Sequence, residues 1–537
     1  MHRKSKRQLG KETKVKAWPN VQDAAFKKLG LTRQQAAEYE AAFQGDLIWP
    51  WEPSYDQDRK QFDPSFSEFP NLIAYCKTLD DIAWCLQRAH EWGWKVTCRS
   101  GGHNTAGYAV MTGTMTIDVS RYFNYVHVDP IKQFAVVGAG TNFDTLDAKL
   151  NDYGLHVPGG ECGDVCVGGY SQGGGYGFTS RQYGINCDNI VEAKVMTIDR
   201  NGVVGLATAN SATNPDLYWA LRGGTGNNFG VLVELKYKLH AVGTMWGATL
   251  KWLDPGEMLQ AMQIIQNKYT KNAPPELGFL GMIMIQIGDT TPCFQISFIY
   301  NGPAVKGAAL IAPLVKLGNP VYKTYSGTFR DLNNILLPDP NFPPGVTFAD
   351  ACEVRESRYI AKPIDESGWQ NIINYYINNR NAWNQTNAVF FEYYGGAINK
   401  VKNSAFVHRD VYMDIYVDSF WFKDQEKAGA ASWLDGYISL LNGYSNGEQY
   451  QNYPRRNTPN YQWAFWKGAI YTLAPIKQKY DPLGLQDFPM SATLPRDKND
   501  PVYTQVKRAN QKSRFPKSKI AYDERYGRRK NSGKRKK

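Results

Sequence analysis

Nine of the nineteen residues from Gly159 to Gly177 are glycine. Glycine loses more conformational freedom on ordering than any other residue, so such a density belongs where a backbone has to pass very close to something. A flexible linker is the competing reading, but Val165, Val167, Tyr176 and Phe178 are interleaved with the glycines and are wrong for one. The stretch therefore points to a close-packed backbone lying against a flat ligand.

The rest of the chain is large enough to hold such a ligand. Its 537 residues, 42% hydrophobic and 21% charged, have globular composition and room for several cores, which excludes fibrous and wholly disordered classes. The longest apolar runs, such as Phe279–Ile287, are broken well short of the roughly 20 residues a membrane-spanning helix needs. No apolar stretch follows the charged Met1–Arg7 start, so no secretory signal is expected and no compartment is assigned. The net charge of +12 is confined to the ends: residues 1–16 carry seven Lys/Arg and one acid, residues 496–537 sixteen and four, and the middle is net acidic. Eight scattered cysteines suit core thiols rather than a disulfide framework.

The texture along the chain predicts an α+β protein. After a basic tail (1–16) and a lead-in (17–68) with a short helix at Arg33–Phe43, a first domain over 69–243 opens with strand Asn71–Tyr75, amphipathic helix Leu79–Trp92 capped near Thr78, and strand Lys95–Arg99. Strands Thr114–Val119, Gln133–Val137, Ala193–Asp199 and Gly230–Leu239 continue it, with helices at Leu146–Asn151 and Asp216–Leu221. A second domain over 244–448 alternates helices (Pro255–Tyr269, Glu366–Asn378, Asp424–Asn442) with strands (Cys293–Tyr300, Phe390–Tyr394, Val411–Trp421). A segment over 449–495, with a helix at Ile470–Tyr480, returns to the first domain and precedes a basic tail over 496–537.

Arg99-Ser100-Gly101-Gly102-His103-Asn104 follows directly on a predicted strand. Adjacent glycines let backbone N–H groups close on an anion such as a pyrophosphate, with His103 displayed at the rim. A plain Gly-Gly turn with an exposed histidine reads equally well from this hexapeptide alone. Gly224-Thr225-Gly226 follows a helix instead of a strand, the wrong context for a nicotinamide-dinucleotide fingerprint. Cys162 and Cys166 have no paired histidines or second cysteine pair nearby, so no metal is expected.

Together these pieces resemble the FAD-linked oxidases of the berberine-bridge-enzyme-like group, within the vanillyl-alcohol-oxidase superfamily. Arg99–His103 is similar to that family's R-S-G-G-H, and Cys162–Gly177 to its C-P-x-V-G-x-G-G…G-G-G-x-G, at a family-like spacing of 59 residues between His103 and Cys162. Asp216–Val231, Tyr394–Arg409 and Lys477–Leu485 resemble further family segments. The resemblance implies a PCMH-type FAD-binding domain of two α+β subdomains and a substrate domain built on an antiparallel sheet covered by helices. It implies FAD attached twice, through His103 and Cys162, and a cofactor site that also includes Arg99, Ser100, Gly101, Gly102, Asn104, Gly107, Tyr108, Val165, Gly168, Gly169, Gly173, Gly174, Gly177, Val191 and Asn452. The chain departs from the pattern at Gly163, where proline is usual, at Cys166, where glycine is usual, and at Thr225 and Asn227, which interrupt a glycine run. Two thiols therefore compete for the flavin, and the register of Gly168-Gly169 favours Cys162.

A flavin that oxidises an alcohol takes hydride at N5 while a protein base takes the hydroxyl proton. The resemblance places that base at Tyr453, in Asn452-Tyr453, and a core tyrosine is the alternative. Tyrosine titrates near 10, so it needs help, for which Arg455, Arg456, His408 and Arg409 are candidates. In Val411–Trp421, Tyr412, Asp414, Tyr416 and Asp418 alternate with Met413, Ile415 and Val417, so the polar face points to the pocket or to solvent. By resemblance this strand lies over the flavin, and Tyr416 and Asp414 join Tyr453 as catalytic candidates. Val165 matches a position where a small residue favours access of O2, implying an oxidase that releases H2O2. An oligosaccharide or another bulky alcohol or phenol is the expected substrate, carbohydrate first.

Two other readings stay open. The basic tails suit electrostatic contact with nucleic acid or another polyanion, so the chain could be a packaging protein on an oxidase scaffold, or the tails could merely solubilise it. A flavin dehydrogenase passing electrons to a non-oxygen acceptor is the third.

Overall fold

The computed structural model describes residues 18–380 and 386–494; both basic tails lie outside the described residues. The chain is α+β, and within the described residues its strands gather into four sheets. Among the described residues no helix is long and apolar enough to cross a membrane.

The first sheet has four strands. Leu72–Tyr75 runs parallel to Met115–Asp118, which runs parallel to Val96–Arg99, and the short Asp46–Ile48 from the lead-in closes the edge antiparallel to Leu72–Tyr75. Helix Leu79–Trp92 makes the crossover. Thr78 accepts from the Asp81 amide while the Asp81 carboxylate accepts from the Thr78 amide, satisfying two helix-end donors, and Gly93 ends the helix at φ 70°. Ile82, Cys85, Leu86 and Ala89 form its buried stripe.

The second sheet is antiparallel, in the order Val126–Asp129, Phe134–Gly138, Val231–Lys238, Ile190–Ile198, Val204–Asn210. The sequence reading lacked its two edge strands, which are short or interrupted by polar residues. A two-stranded ribbon pairs His240–Ala241 with Leu155–His156.

The fourth sheet has seven antiparallel strands, ordered Val321–Gly327, Met245–Trp252, Cys293–Tyr300, Leu277–Met284, Ala388–Tyr393, Met413–Trp421, Cys352–Ile360. Its period-two alternation divides two cores. Phe279, Ile283, Val389, Phe391, Met413, Ile415 and Val417 pack with helices Pro255–Ile264, Glu366–Asn378 and Lys427–Leu441. Leu280, Met282, Phe390 and Tyr416 face the core of the first two sheets. Nothing on Met413–Trp421 is solvated, because a sheet sandwiched this way buries both faces.

The seam between the sheets is polar as well as apolar. Arg181, 1% exposed, reaches across from the glycine-rich region and donates to the carbonyls of Leu277 (3.2 Å), Thr270 (3.0 Å) and Ala273 (3.1 Å), and to that of Tyr394. Burial without a carboxylate partner pulls its guanidinium down to about 10. Tyr176 donates to the Tyr393 carbonyl at 3.0 Å and stacks on Tyr394.

Candidate active site

Strand Val96–Arg99 delivers the chain into the loop Ser100–Asn104. A Cβ at Gly101 would sit 3.1 Å from Cys166 Sγ and 3.2 Å from the Cys166 amide, so glycine lets the two loops touch. Gly102 holds φ at 77°, which glycine accepts without cost. His103 then stacks on Phe62 with ring centres 4.3 Å apart, and its Nε2 lies 3.3 Å from Asp164. That hydrogen bond holds the Asp164 carboxyl below its usual range.

The second loop arrives from the other side. Cys162 is exposed on the wall of a cavity, whereas Cys166 is buried and donates its thiol to the Gly140 carbonyl at 3.3 Å. The structure also explains the missing proline: a Cβ at Gly163 would stand 2.4 Å from the Asp144 carboxylate, whose amide in turn donates to the Gly163 carbonyl. Farther on, Thr225 and Asn227 adopt φ 66° and 60°, the left-handed conformation glycine would take most easily. They are held there by bonds from the Thr225 amide to the Gln172 carbonyl and from the Cys98 amide to Asn227 Oδ1.

These loops enclose a cavity of about 390 Å³, within the range of cofactor sites. One end is lined by Tyr108, Val231, Leu232, Phe488 and Met490, the middle by Ser100–Asn104, Gly168, Gly169 and residues 225–227, and the far end by acids, tyrosines and Arg355. An apolar end, a glycine waist and a polar end fit an elongated dinucleotide. Beside Gly169 a Cβ would meet nothing nearer than Ser100 Oγ at 3.9 Å, so the waist is open where a cofactor would pass. The residues present fit FAD.

At the far end, Tyr453 donates to Glu392 Oε1 at 2.7 Å, and Tyr416 donates to Glu161 Oε2 at 3.1 Å. The two phenol rings lie 4.5 Å apart, with the Arg355 guanidinium 5.1 Å from the Tyr453 ring centre and 5.3 Å from that of Tyr416. Arg355 is fixed by two bonds to Asp418, 2.5 and 2.7 Å, and lies 3.5 Å from Glu353. Burial dominates the electrostatics. It raises Glu161 and Glu353 to about 7, lifts Asp418 despite Arg355, and lifts Glu392 well above the carboxylate range with Asp414 adding to the effect. Burial and the facing carboxyls hold Tyr453 well above 10.

Several expectations need correction. Arg99 lines the cavity, but its guanidinium is committed to Asp118, the Tyr75 hydroxyl (3.0 Å) and the Asp58 carbonyl (2.7 Å), which makes it a brace for the loop. Gly107, Gly173, Gly174, Gly177 and Val191 do not line the cavity. Gly107 packs on Phe66, Gly173 on Asn452, Gly174 on Phe406 and Gly177 on the Gly159 carbonyl, so these glycines serve chain-to-chain approach, and Val191 lies within strand Ile190–Ile198. Asp414 is fully buried and also stands off the cavity wall. The cations expected beside Tyr453 are elsewhere: Arg455 on Glu356, Arg456 on Glu68, His408 on Glu448, Arg409 on Asp188. Arg355 takes that place.

His103, Cys162, Val165, Asn452, Tyr453 and Tyr416 do converge on the cavity. Asn452 donates to the Tyr170 carbonyl and the Tyr450 hydroxyl, both at 2.9 Å, and so sets the turn that presents Tyr453. The reading from sequence missed Glu161, Glu392, Arg355 and residues 225–227 and 230–232. Glu392 had one visible signal, a lone acid inside the apolar run Phe390–Tyr394.

Fold and cavity together define a protein built to hold a long flat cofactor against a chamber of phenols and carboxyls. Residues 70–204 match the FAD binding domain family. The chain is 24% identical over 453 residues to the uncharacterized FAD-linked oxidoreductase YgaK of Bacillus subtilis, covering 83% of this chain and 96% of the relative. It is 27% identical over 461 residues to the xylooligosaccharide oxidase of Thermothelomyces thermophilus, covering 81% and 89%. Among solved structures, Physcomitrella patens BBE-like 1 superposes with a TM-score of 0.77 at 25% identity, covering 86% of this chain and 99% of that one. The chain is an FAD-linked oxidoreductase with the fold of the berberine-bridge-enzyme-like, PCMH-type FAD oxidases.

Proposed function

We propose that the chain oxidises an alcohol group of a carbohydrate, or of a similarly bulky alcohol or phenol, with O2 as the electron acceptor and H2O2 as the second product. FAD, when bound, supplies the hydride acceptor. The Tyr453–Glu392 hydrogen bond carries the reading. A phenol held well above 10 is not a preformed base, but one that already donates to a carboxyl can take a substrate proton as it hands on its own. Arg355 over both phenol rings favours the negative charge that develops during this exchange. Tyr416, Phe390 and Phe348 line the chamber with the flat surfaces that sugars stack on.

His103 and Cys162 are the residues we assign to a double covalent attachment of the flavin: His103, Cys162 and Cys166 all line the cavity, but the Cys166 thiol is engaged with the Gly140 carbonyl. Val165 on the same wall supports dioxygen as acceptor. Peroxide release by the purified holoenzyme against oligosaccharides and phenolic alcohols tests the function. Turnover with an artificial acceptor and none in air would replace the oxidase by a dehydrogenase. No turnover with either would sink the reading.

A further inference from the structure

Strand register sets Glu392 directly across from Asp414, and Asp414 across from Tyr359 on the next strand. Opposed residues on one sheet face have Cβ atoms about 4.5–5.5 Å apart, within reach of two carboxyl side chains. Asp414 meets the Ser357 hydroxyl, but neither of its oxygens is in a hydrogen bond of ordinary geometry among the described residues, and neither is Glu392 Oε2. Both residues are at most 1% exposed. Two ionised carboxylates cannot face each other at such a place without partners, whereas a pair sharing a proton satisfies both.

We propose that Glu392 and Asp414 share a proton as a carboxyl pair, and that this pair is the proton sink behind Tyr453, with Asp414 the terminal acceptor. The proposal rests on the alcohol-oxidation reading above. As the hydride and its two electrons leave the substrate carbon for the flavin, the hydroxyl proton passes to the Tyr453 oxygen, the Tyr453 proton to Glu392 Oε1, and the proton on Glu392 Oε2 to Asp414. Tyr453 and Glu392 each gain one proton and give one, and the carbonyl product forms without a buried charge. Asp414 touches neither substrate nor cofactor; it is a positioning residue acting through Glu392.

The surroundings suit a sink. Glu392 is faced by Tyr453, Glu161 and Arg355, and by the buried phenols Tyr176, Tyr394 and Tyr450. Asp414 is faced by the Ser357 hydroxyl and the Arg358 charge, which favour its ionised form, and by Tyr359 and Tyr394, whose hydroxyls bond each other at 3.0 Å. Arg358 itself is paired with Glu356 at 2.7 Å. Burial sets the balance and raises Asp414 to about 8. Interacting carboxyls titrate as a unit, so the pair carries a proton through neutral pH.

Infrared titration of the resting wild-type holoenzyme tests the shared proton without turnover. A protonated-carboxyl C=O band is expected to persist through neutral pH and disappear near pH 8. Glu161 and Glu353 contribute their own bands near 7 and Asp147 one near 8, so the assignment uses the difference between wild type and Asp414→Asn, in which those bands cancel and the band of the pair must remain. Anaerobic flavin bleaching by substrate tests the sink. In Asp414→Asn the only acceptor left is ionised Glu392, which is protonated in a single step at a pH above that at which the wild-type pair takes up its second proton, so Asp414→Asn is expected to move the acid limb of the bleaching rate up by about one pH unit or more, while Asp414→Glu keeps it near wild type. No such band in the difference between wild type and Asp414→Asn, or an acid limb unmoved in Asp414→Asn, would overturn the proposal. A full bleaching rate in Tyr453→Phe with the band intact would instead remove the alcohol-base reading, and the sink with it.

Discussion

Tyr453 and Glu392 are joined by a single hydrogen bond of 2.7 Å in which the phenol donates, although the two residues lie 61 positions apart in the chain. The direction of that bond defines the chemistry. The phenol oxygen keeps its lone pairs for the substrate side, and the carboxyl stands ready for the phenol's proton.

Replacing Tyr453 by phenylalanine removes both functions and little volume. Flavin bleaching by saturating substrate under anaerobic conditions should slow by about 100-fold or more, the usual worth of a positioned proton-transfer group. Cofactor content should match wild type, because the turn around Tyr453 is set by Asn452. An unchanged bleaching rate would exclude Tyr453 as the base.

Acid precipitation reads the flavin attachment directly. Yellow colour should stay in the pellet for wild type, for His103→Ala and for Cys162→Ala, and should be released in the double variant. Cys166→Ala should behave as wild type, since its thiol is engaged with Gly140. Release by a single substitution would mean one link, and its identity would name the anchor.

Arg355 neutralises a buried acidic pair. Asp418 and Glu353 are 2% and 4% exposed at their side chains, so Arg355→Met leaves charge with no counter-ion. Breaking such a pair costs about 3–5 kcal/mol, which denaturant unfolding at neutral pH should show. The loss should shrink at acid pH, where both carboxyls are protonated. A constant deficit across pH would point to lost packing instead.

Asp414 couples stability to pH. On the shared-proton reading, the pair it forms with Glu392 keeps its proton to about 8 when folded, whereas the Asp414 carboxyl releases its own at the ordinary 3.8 when unfolded, so the folded state binds the proton more tightly. Its contribution is unpenalised below 3.8 and worsens as pH rises toward 8. Asp414→Asn should therefore raise the melting temperature more at pH 9 than at pH 5, and equal shifts at the two values would contradict the raised pKa.

Two glycines separate folding from cofactor binding. At Gly177 a Cβ would lie 1.8 Å from the Gly159 carbonyl, a backbone atom that cannot move aside, whereas at Gly169 the space is open. Gly177→Ala should yield little folded protein. Gly169→Ala should fold with a near-native circular dichroism spectrum and load less flavin. Full flavin loading in Gly169→Ala would place the cofactor elsewhere.

What the sequence made legible follows the kind of signal each element carries. Leu79–Trp92 was readable to the residue because its cap, stripe and terminal glycine agree. Ala388–Tyr393 showed as an apolar run and Met413–Trp421 through its alternation, yet the polar side of Met413–Trp421 read as pocket or solvent equally well, since only the opposing sheets decide which. Cys352–Ile360 was missed because charged residues recur along it, and Arg355 was missed with it. The two short motifs located the glycine waist of the cavity. Its glycines were over-assigned to the cofactor, because glycine marks any close approach, and four of them, Gly107, Gly173, Gly174 and Gly177, meet their own chain instead.

Arg181 gives the molecule a mechanical property. Its fork of carbonyl bonds rivets the glycine-rich region to the large sheet at a point behind the chamber. Breaking it would strand a buried cation, so the halves do not gape like jaws to admit a substrate. Traffic has to use a fixed doorway. The size and shape of that doorway, more than any closing motion, then set which molecules reach Tyr453 and how quickly products get out.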